Sequence, residues 1–171
     1  MGAQDWLENV YREQAPALFR FLLRLTADEA ETKEVLQEIF VRLAKEPRLL
    51  EGVKAPHSFL FRMAHRLVID RYRRDETRRR YDDGAYQERE SIASPEEPEM
   101  DAAWVRQTLA AAVNELPPEQ RAVVALKVWE EMTFAEIAEV LDLSANTAAS
   151  RYRYALDKLR DHLRPLQRDL P

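Results

Sequence analysis

The chain has 171 residues, of which 46% are hydrophobic, 33% charged and 9% aromatic, enough for one domain of ordinary size or two small ones. With no cysteine and only three glycines (Gly2, Gly52 and Gly84), it excludes disulfides, thiol nucleophiles and cysteine-bound zinc. The same scarcity of glycine argues against a phosphate-cradling loop or a turn-rich β protein.

No apolar run approaches the roughly 20 residues that span a bilayer, and the first residues lack the basic-then-apolar order of a signal peptide. Membrane insertion is not expected, and a cytoplasmic location is. The formal charge of −5 hides a segregated pattern. Residues 71–80 carry six arginines against two acids, residues 82–101 eight acids against Arg89, and residues 151–168 six bases against two acids. Because binding follows the local field, two basic segments flanking an acidic one are more informative than the sum.

In chain order, Trp6, Leu7, Val10, Tyr11, Leu18, Phe19, Leu22, Leu23 and Leu25 recur at three- and four-residue steps. This spacing predicts one long helix or two joined at Pro16. Asp28 and Glu31 give a start signal for a second helix bearing Val35, Leu36, Ile39, Phe40 and Leu43, stopped by Pro47. Residues 48–55 read as a connection. Pro56 suits a first helical turn, and Phe59, Leu60, Met63, Ala64, Leu67, Val68 and Tyr72 continue the apolar stripe into the arginine run.

The stretch YDDGAYQERESIASPEEP combines proline, serine, glycine and like charge with few large apolar residues, the composition of a flexible linker. Beyond it, Trp104, Val105, Leu109, Ala112, Val113 and Leu116 define a helix that Pro117 and Pro118 end. Another helix follows with Val123, Val124, Leu126, Val128 and Trp129. Thr133 and Glu136 form a capping box opening a short helix with Phe134, Ile137, Ala138 and Leu141. After the turn Asp142-Leu143-Ser144, a final helix packs through Ala148, Tyr152, Ala155, Leu156, Leu159 and Leu163. The expected fold is all-α. It comprises a first helical domain over residues 1–80, an acidic linker over 81–99, and a four-helix, winged-helix-like helix-turn-helix domain over 100–168.

Residues 133–159 have the spacing of a helix-turn-helix, with Asn146, Thr147, Ala149, Ser150, Arg153 and Tyr154 left outward and Arg151 at the flank. Asn and Arg can read base edges, while Ser and Thr can hold phosphates. The alternative is a helical hairpin with a solvated face. The arginine run, interleaved with Phe59, Phe61, Tyr72 and Tyr81, suits single-strand binding, or else simply offsets a helix dipole. Asp70 is expected to pair with Arg66, Arg73 or Arg74. His57, His65 and His162 are scattered without ligand spacing, His65 reading as a surface or half-buried side chain, so no catalytic residue, metal site or cofactor is assigned.

Both halves resemble bacterial RNA polymerase sigma factors of the small, two-domain, extracytoplasmic-function type. The resemblance rests on ALFRFLLRLT (17–26), EVLQEIFVRL (34–43), SFLFRMAHRLVIDRYRR (58–74), LPPEQR (116–121) and FAEIAEVL (134–141). It implies that Glu34, Gln37, Glu38, Phe40 and Arg42 dock on the clamp coiled coil of core RNA polymerase. It further implies that residues 50–56 capture a base flipped from the minus-ten element. Arg62, Arg66, Arg71, Arg73 and Arg74 would line the melted strand, and Asn146, Thr147, Ser150, Arg151 and Arg153 would contact the minus-thirty-five element. Promoter DNA and an anti-sigma factor are the other implied partners. Phe59 stands where the family usually has tryptophan and Arg66 where it has asparagine. Ala149 and Tyr154 occupy positions commonly basic, so weak DNA affinity is expected of the free chain. A stand-alone helix-turn-helix regulator is the alternative function, and a protein-interaction module with an acidic partner a third.

Overall fold

A computed structural model describes residues 3–81 and 102–167. Its elements are all helical: α1 (Ala3–Thr26), α2 (Glu29–Lys45), a 3-10 turn (Pro47–Leu50), α3 (Pro56–Tyr81), α4 (Ala102–Asn114), α5 (Pro118–Val128), α6 (Phe134–Leu141) and α7 (Ala145–Gln167). The expected linker lies, apart from Tyr81 at the end of α3, outside the described residues.

Local chemistry sets the boundaries. Proline 16 does not split α1, which runs through it as one helix. Its ring sits on an exposed face, and the cost of one missing backbone bond is outweighed by buried Ala15, Leu18, Phe21 and Leu22 around it. At the α1–α2 corner the Thr26 and Thr32 hydroxyls bond at 2.9 Å, and Asp28 accepts the Glu31 N–H at 2.9 Å as the N-cap of α2. Thr133 and Glu136 form the capping box of α6, with the Thr133 N–H donating to Glu136 Oε2 at 2.7 Å. Asp142 then closes α6 in the left-handed conformation (φ 57°), and Ser144 caps α7 by accepting the Thr147 N–H at 3.1 Å.

Several residues expected in the core are exposed. Tyr72 sits where α3 outruns the helices it packs on, and Val105 and Leu109 lie on the first turns of α4, ahead of the stretch that meets α7. Leu23, Val128, Trp129 and Leu156 are likewise exposed, each at the edge of its helix's apolar stripe or near a helix end. Burial is decided by which neighbours a stripe meets, not by the stripe alone.

The two halves do not stand apart. Buried Leu18, Phe21, Ile39 and Phe61 of the first half form one continuous cluster with Val123, Leu126, Ile137 and Val140 of the second. α5 packs on α1, and α6 lies between α3 and α7. A smaller cluster, including Val113, Leu116, Ala155 and Leu159, binds α4 to α7 within the second half.

Candidate nucleic-acid and polymerase interfaces

α7 divides into faces by its 3.6-residue period. Ala148, Ala155 and Leu159 are buried, and Tyr152 is half-buried with its ring centroid 5.7 Å from that of Phe134. Opposite them, Asn146, Ser150 and Arg153 fall at i, i+4 and i+7 on one outward stripe, Asn146 and Arg153 exposed and Ser150 half-buried. The other two expected residues stand aside. The Thr147 hydroxyl shares a 2.8 Å hydrogen bond with Ser144 in the N-cap, and Arg151 turns back to Glu119 on α5 at 3.3 Å. The Arg153 guanidinium lies 5.4 Å from the centroid of the Tyr154 ring, which restrains a long side chain at a position that carries no neighbouring core. A stripe of amide, hydroxyl and guanidinium on a capped helix suits major-groove reading.

On α3, Arg62, Arg66 and Arg73 share one side of the helix, while Arg71 is rotated toward α2. Arg71 donates to Glu34 Oε2 and Glu38 Oε2, both at 3.1 Å. Arg71 was expected to line DNA. It instead clasps two carboxylates that were expected to face polymerase. Partial burial works to raise the Glu38 carboxyl, but hydrogen bonds from Arg71 and Arg42 outweigh it and hold Glu38 below the usual carboxylate range. The reciprocal bonds raise Arg71 against the lowering effect of burial. Arg74 lines a charged groove of about 420 Å³ with Arg71, Arg78 and the α2 carboxylates Glu31, Glu34 and Glu38. Asp70 makes none of its expected ion pairs among the described residues. Arg66 reaches Asp142 across the halves at 3.9 Å. The expected base-capturing segment leaves the 3-10 turn through Gly52, whose φ of 72° suits a residue without Cβ.

The α2 residues expected to dock on polymerase separate onto two flanks. Glu34, Glu38 and Arg42 form the ionic flank that meets Arg71. Gln37 and Phe40 line the opposite flank, an apolar groove of about 390 Å³ completed by Tyr11, Lys33, Leu36, Val41 and Ala44. Phe40 packs edge-on against Tyr11, ring centroids 4.8 Å apart. Tyr11, expected on the apolar stripe of the first helix, is exposed, as is Val41, which was not singled out in the sequence. Val41 carried a signal, being an apolar residue off the buried stripe of its helix.

His65 is half-buried, and desolvation there, with Arg151 and Arg66 adding, pushes it down to about 4. Among the described residues no three His, Asp or Glu side chains are grouped to hold a metal, and no helix is long and apolar enough to cross a membrane.

Residues 10–79 match sigma-70 region 2, and residues 106–159 match sigma-70 region 4. The chain is 32% identical over 164 residues to the ECF RNA polymerase sigma factor SigL of Mycobacterium tuberculosis, covering 94% of this chain and 90% of that protein. It is 31% identical to the RNA polymerase sigma-E factor of Streptomyces coelicolor (99% and 92% covered) and 26% identical to SigX of Bacillus subtilis (98% and 88%). In fold it is similar to the sigma factor RpoE of Bartonella quintana, solved in complex with the anti-sigma factor NepR. That likeness has a TM-score of 0.76 at 19% identity and covers 94% of this chain and 98% of that one.

Proposed function

Because the chain belongs to the extracytoplasmic-function group of the sigma-70 family, we propose that its faces divide the work of promoter recognition between the two halves. It is a sigma factor, directing RNA polymerase to promoters, and the stand-alone regulator is not favoured. The observation that carries this reading is the ordered match of both halves, region 2 then region 4, in a single chain.

The first domain (1–80) binds polymerase and the melted minus-ten strand, and the second (100–168) reads the minus-thirty-five element, joined by an acidic linker over 81–99. Gln37, Phe40 and the exposed groove residues Tyr11 and Val41 provide an apolar anchor for the clamp coiled coil. The Glu34, Glu38 and Arg42 flank sets its orientation by charge. Arg62, Arg66, Arg73 and Arg74 neutralise the strand backbone, and residues 50–56 hold an extruded base whose unstacking costs a few kcal/mol. Asn146, Ser150 and Arg153 read the duplex, with Thr147 and Arg151 positioned beside them. The chain works as a specificity subunit, without a catalytic step of its own. An anti-sigma factor is a further partner, a reading supported by the similar RpoE having been solved with NepR.

Run-off transcription with purified core polymerase tests the whole. Promoter-dependent initiation is expected, and Val41→Asp should weaken association with core while leaving duplex binding intact. A chain that binds duplex tightly but never associates with core would refute the proposal.

A further inference from the structure

The charges of α7 are unevenly committed. Of its four arginines, three are held by carboxylates: Arg151 by Glu119 at 3.3 Å, Arg160 by Asp157 at 2.8 Å and Arg164 by Asp161 at 3.0 Å. Arg153 makes no ion pair among the described residues, although Asp157 stands one turn beyond it, because that carboxylate is bonded to Arg160. What stands beside Arg153 is the Tyr154 ring, with 5.4 Å between the guanidinium carbon and the ring centroid. Tyr154 is 55% exposed and belongs to neither buried cluster. It follows Ser150 by one turn, as Ser150 follows Asn146, so the ring extends the row that those two polar side chains begin, and Arg153 lies along its border. Packing within the chain leaves this ring free to meet a ligand.

We propose that Tyr154 is a specificity-determining residue of the duplex-reading helix: its ring braces the Arg153 guanidinium for a guanine and itself meets the C5-methyl of a thymine in a neighbouring base pair. The inference rests on α7 being the duplex reader, as proposed above, and adds which bases it selects. The bracing follows from the geometry. A guanidinium beside an aromatic ring is attracted to its face, and a long side chain already held in place loses less rotamer freedom when it engages guanine O6 and N7 through two parallel bonds. The methyl contact follows from the chemistry. The thymine methyl is the apolar feature of a base-pair edge in the major groove, and an aromatic ring can detect it where an amide, hydroxyl or guanidinium reads only donors and acceptors. Arg153 and Tyr154 thus form a composite reader, one part polar and one apolar, at adjacent positions of a single turn.

Randomised DNA duplexes are selected with the full-length chain at low salt, and the enriched duplex is remade with deoxyuridine in place of each enriched thymine in turn, which deletes only the methyl. The parent, Tyr154→Ala and Tyr154→Phe are compared on these duplexes, with circular dichroism confirming that helicity is kept. A guanine with a thymine in a neighbouring base pair should be enriched. For the parent, one deoxyuridine replacement should weaken binding about 4-fold, the worth of one methyl group removed from water. Tyr154→Ala should bind the thymine and deoxyuridine duplexes alike, and its discrimination of guanine against adenine should fall about 2- to 5-fold as the guanidinium loses its brace. Tyr154→Phe, which keeps the ring, should match the parent in both respects. A methyl effect that survives in Tyr154→Ala overturns the contact. Guanine discrimination unchanged in Tyr154→Ala, or lost equally in Tyr154→Phe, overturns the bracing, and enrichment without such a guanine and thymine overturns both. Failure of the parent to support initiation by core polymerase would instead refute the sigma reading and leave the base preferences standing.

Discussion

The clasp of Arg71 on α2 gives a prediction whose size follows from geometry. Its guanidinium reaches Glu38 and Glu34 at 3.1 Å each, but the two carboxylates differ in setting: the Glu38 side chain is 33% exposed, that of Glu34 69%. Unit charges about 4 Å apart attract by ~4 kcal/mol in a surface-like effective dielectric of 20 and by ~1 kcal/mol in bulk water. Desolvation and side-chain ordering consume most of the larger figure, and exposed pairs typically retain ~0.2–1 kcal/mol. A double-mutant cycle of Arg71→Met and Glu38→Gln, read by urea unfolding at low salt, should therefore give a coupling of about 1 kcal/mol. The Glu34→Gln cycle should give about 0.3 kcal/mol or less.

The pH sign follows from the lowered Glu38 carboxyl. A carboxylate held below its unfolded value contributes stability above that value and loses it as pH falls through the folded one, so the coupling should be full near neutrality and vanish in acid. It should also shrink toward 1 M salt. A coupling that persists after Glu38 is protonated, or is absent at neutral pH and low salt, would refute the ionic clasp. The same variants test whether Arg71 serves the clasp or the strand: Arg71→Met should weaken single-strand binding less than Arg73→Met, because Arg71 is held by Glu34 and Glu38 of α2.

Other consequences are open to measurement. Thr133→Ala should cost about 1 kcal/mol in unfolding titrations. The capping carboxylate of Glu136, lowered first by the Thr133 backbone N–H, should release as pH falls through its depressed folded value. Arg153→Ala should weaken promoter-duplex binding by ~1–3 kcal/mol and relax discrimination at one base pair, whereas an equal loss on unrelated duplexes would reassign it to phosphate. His65, neutral in the fold and held at about 4, makes the docked state lose stability as pH falls from about 6.5 toward 4, since the unfolded chain then binds the extra proton. His65→Gln should flatten that part of a melting-temperature profile.

What the sequence made legible was local. Asp28, Thr133 and Ser144 announce helix starts because each satisfies backbone N–H groups within its own first turn, and the Asp142–Ser144 corner needs no distant partner. The outward stripe of α7 was likewise visible, since Ala148, Ala155 and Leu159 fix which side is inward. What stayed hidden depends on residues remote in the chain. Nothing near Arg71 reveals that Glu34 and Glu38, more than 30 positions earlier, will claim it. Equally, Trp129 reads as the end of a stripe, and Glu130 after it draws no notice, until Arg24 and His57 are brought beside them. The split of the α2 residues into an ionic and an apolar flank also required knowing which neighbour, α1 or α3, each flank meets.

The hydroxyl-locked corner between α1 and α2 bears on synthesis. Residues between Tyr11 and Ala44 supply every wall of the apolar groove, and the bond between Thr26 and Thr32 pins the corner between the two helices within that same span. A nascent chain emerging from the ribosome thus carries every residue of the groove before α3, α6 or α7 has been translated, although the core beneath it is completed only when Phe61 of α3 arrives against Phe21.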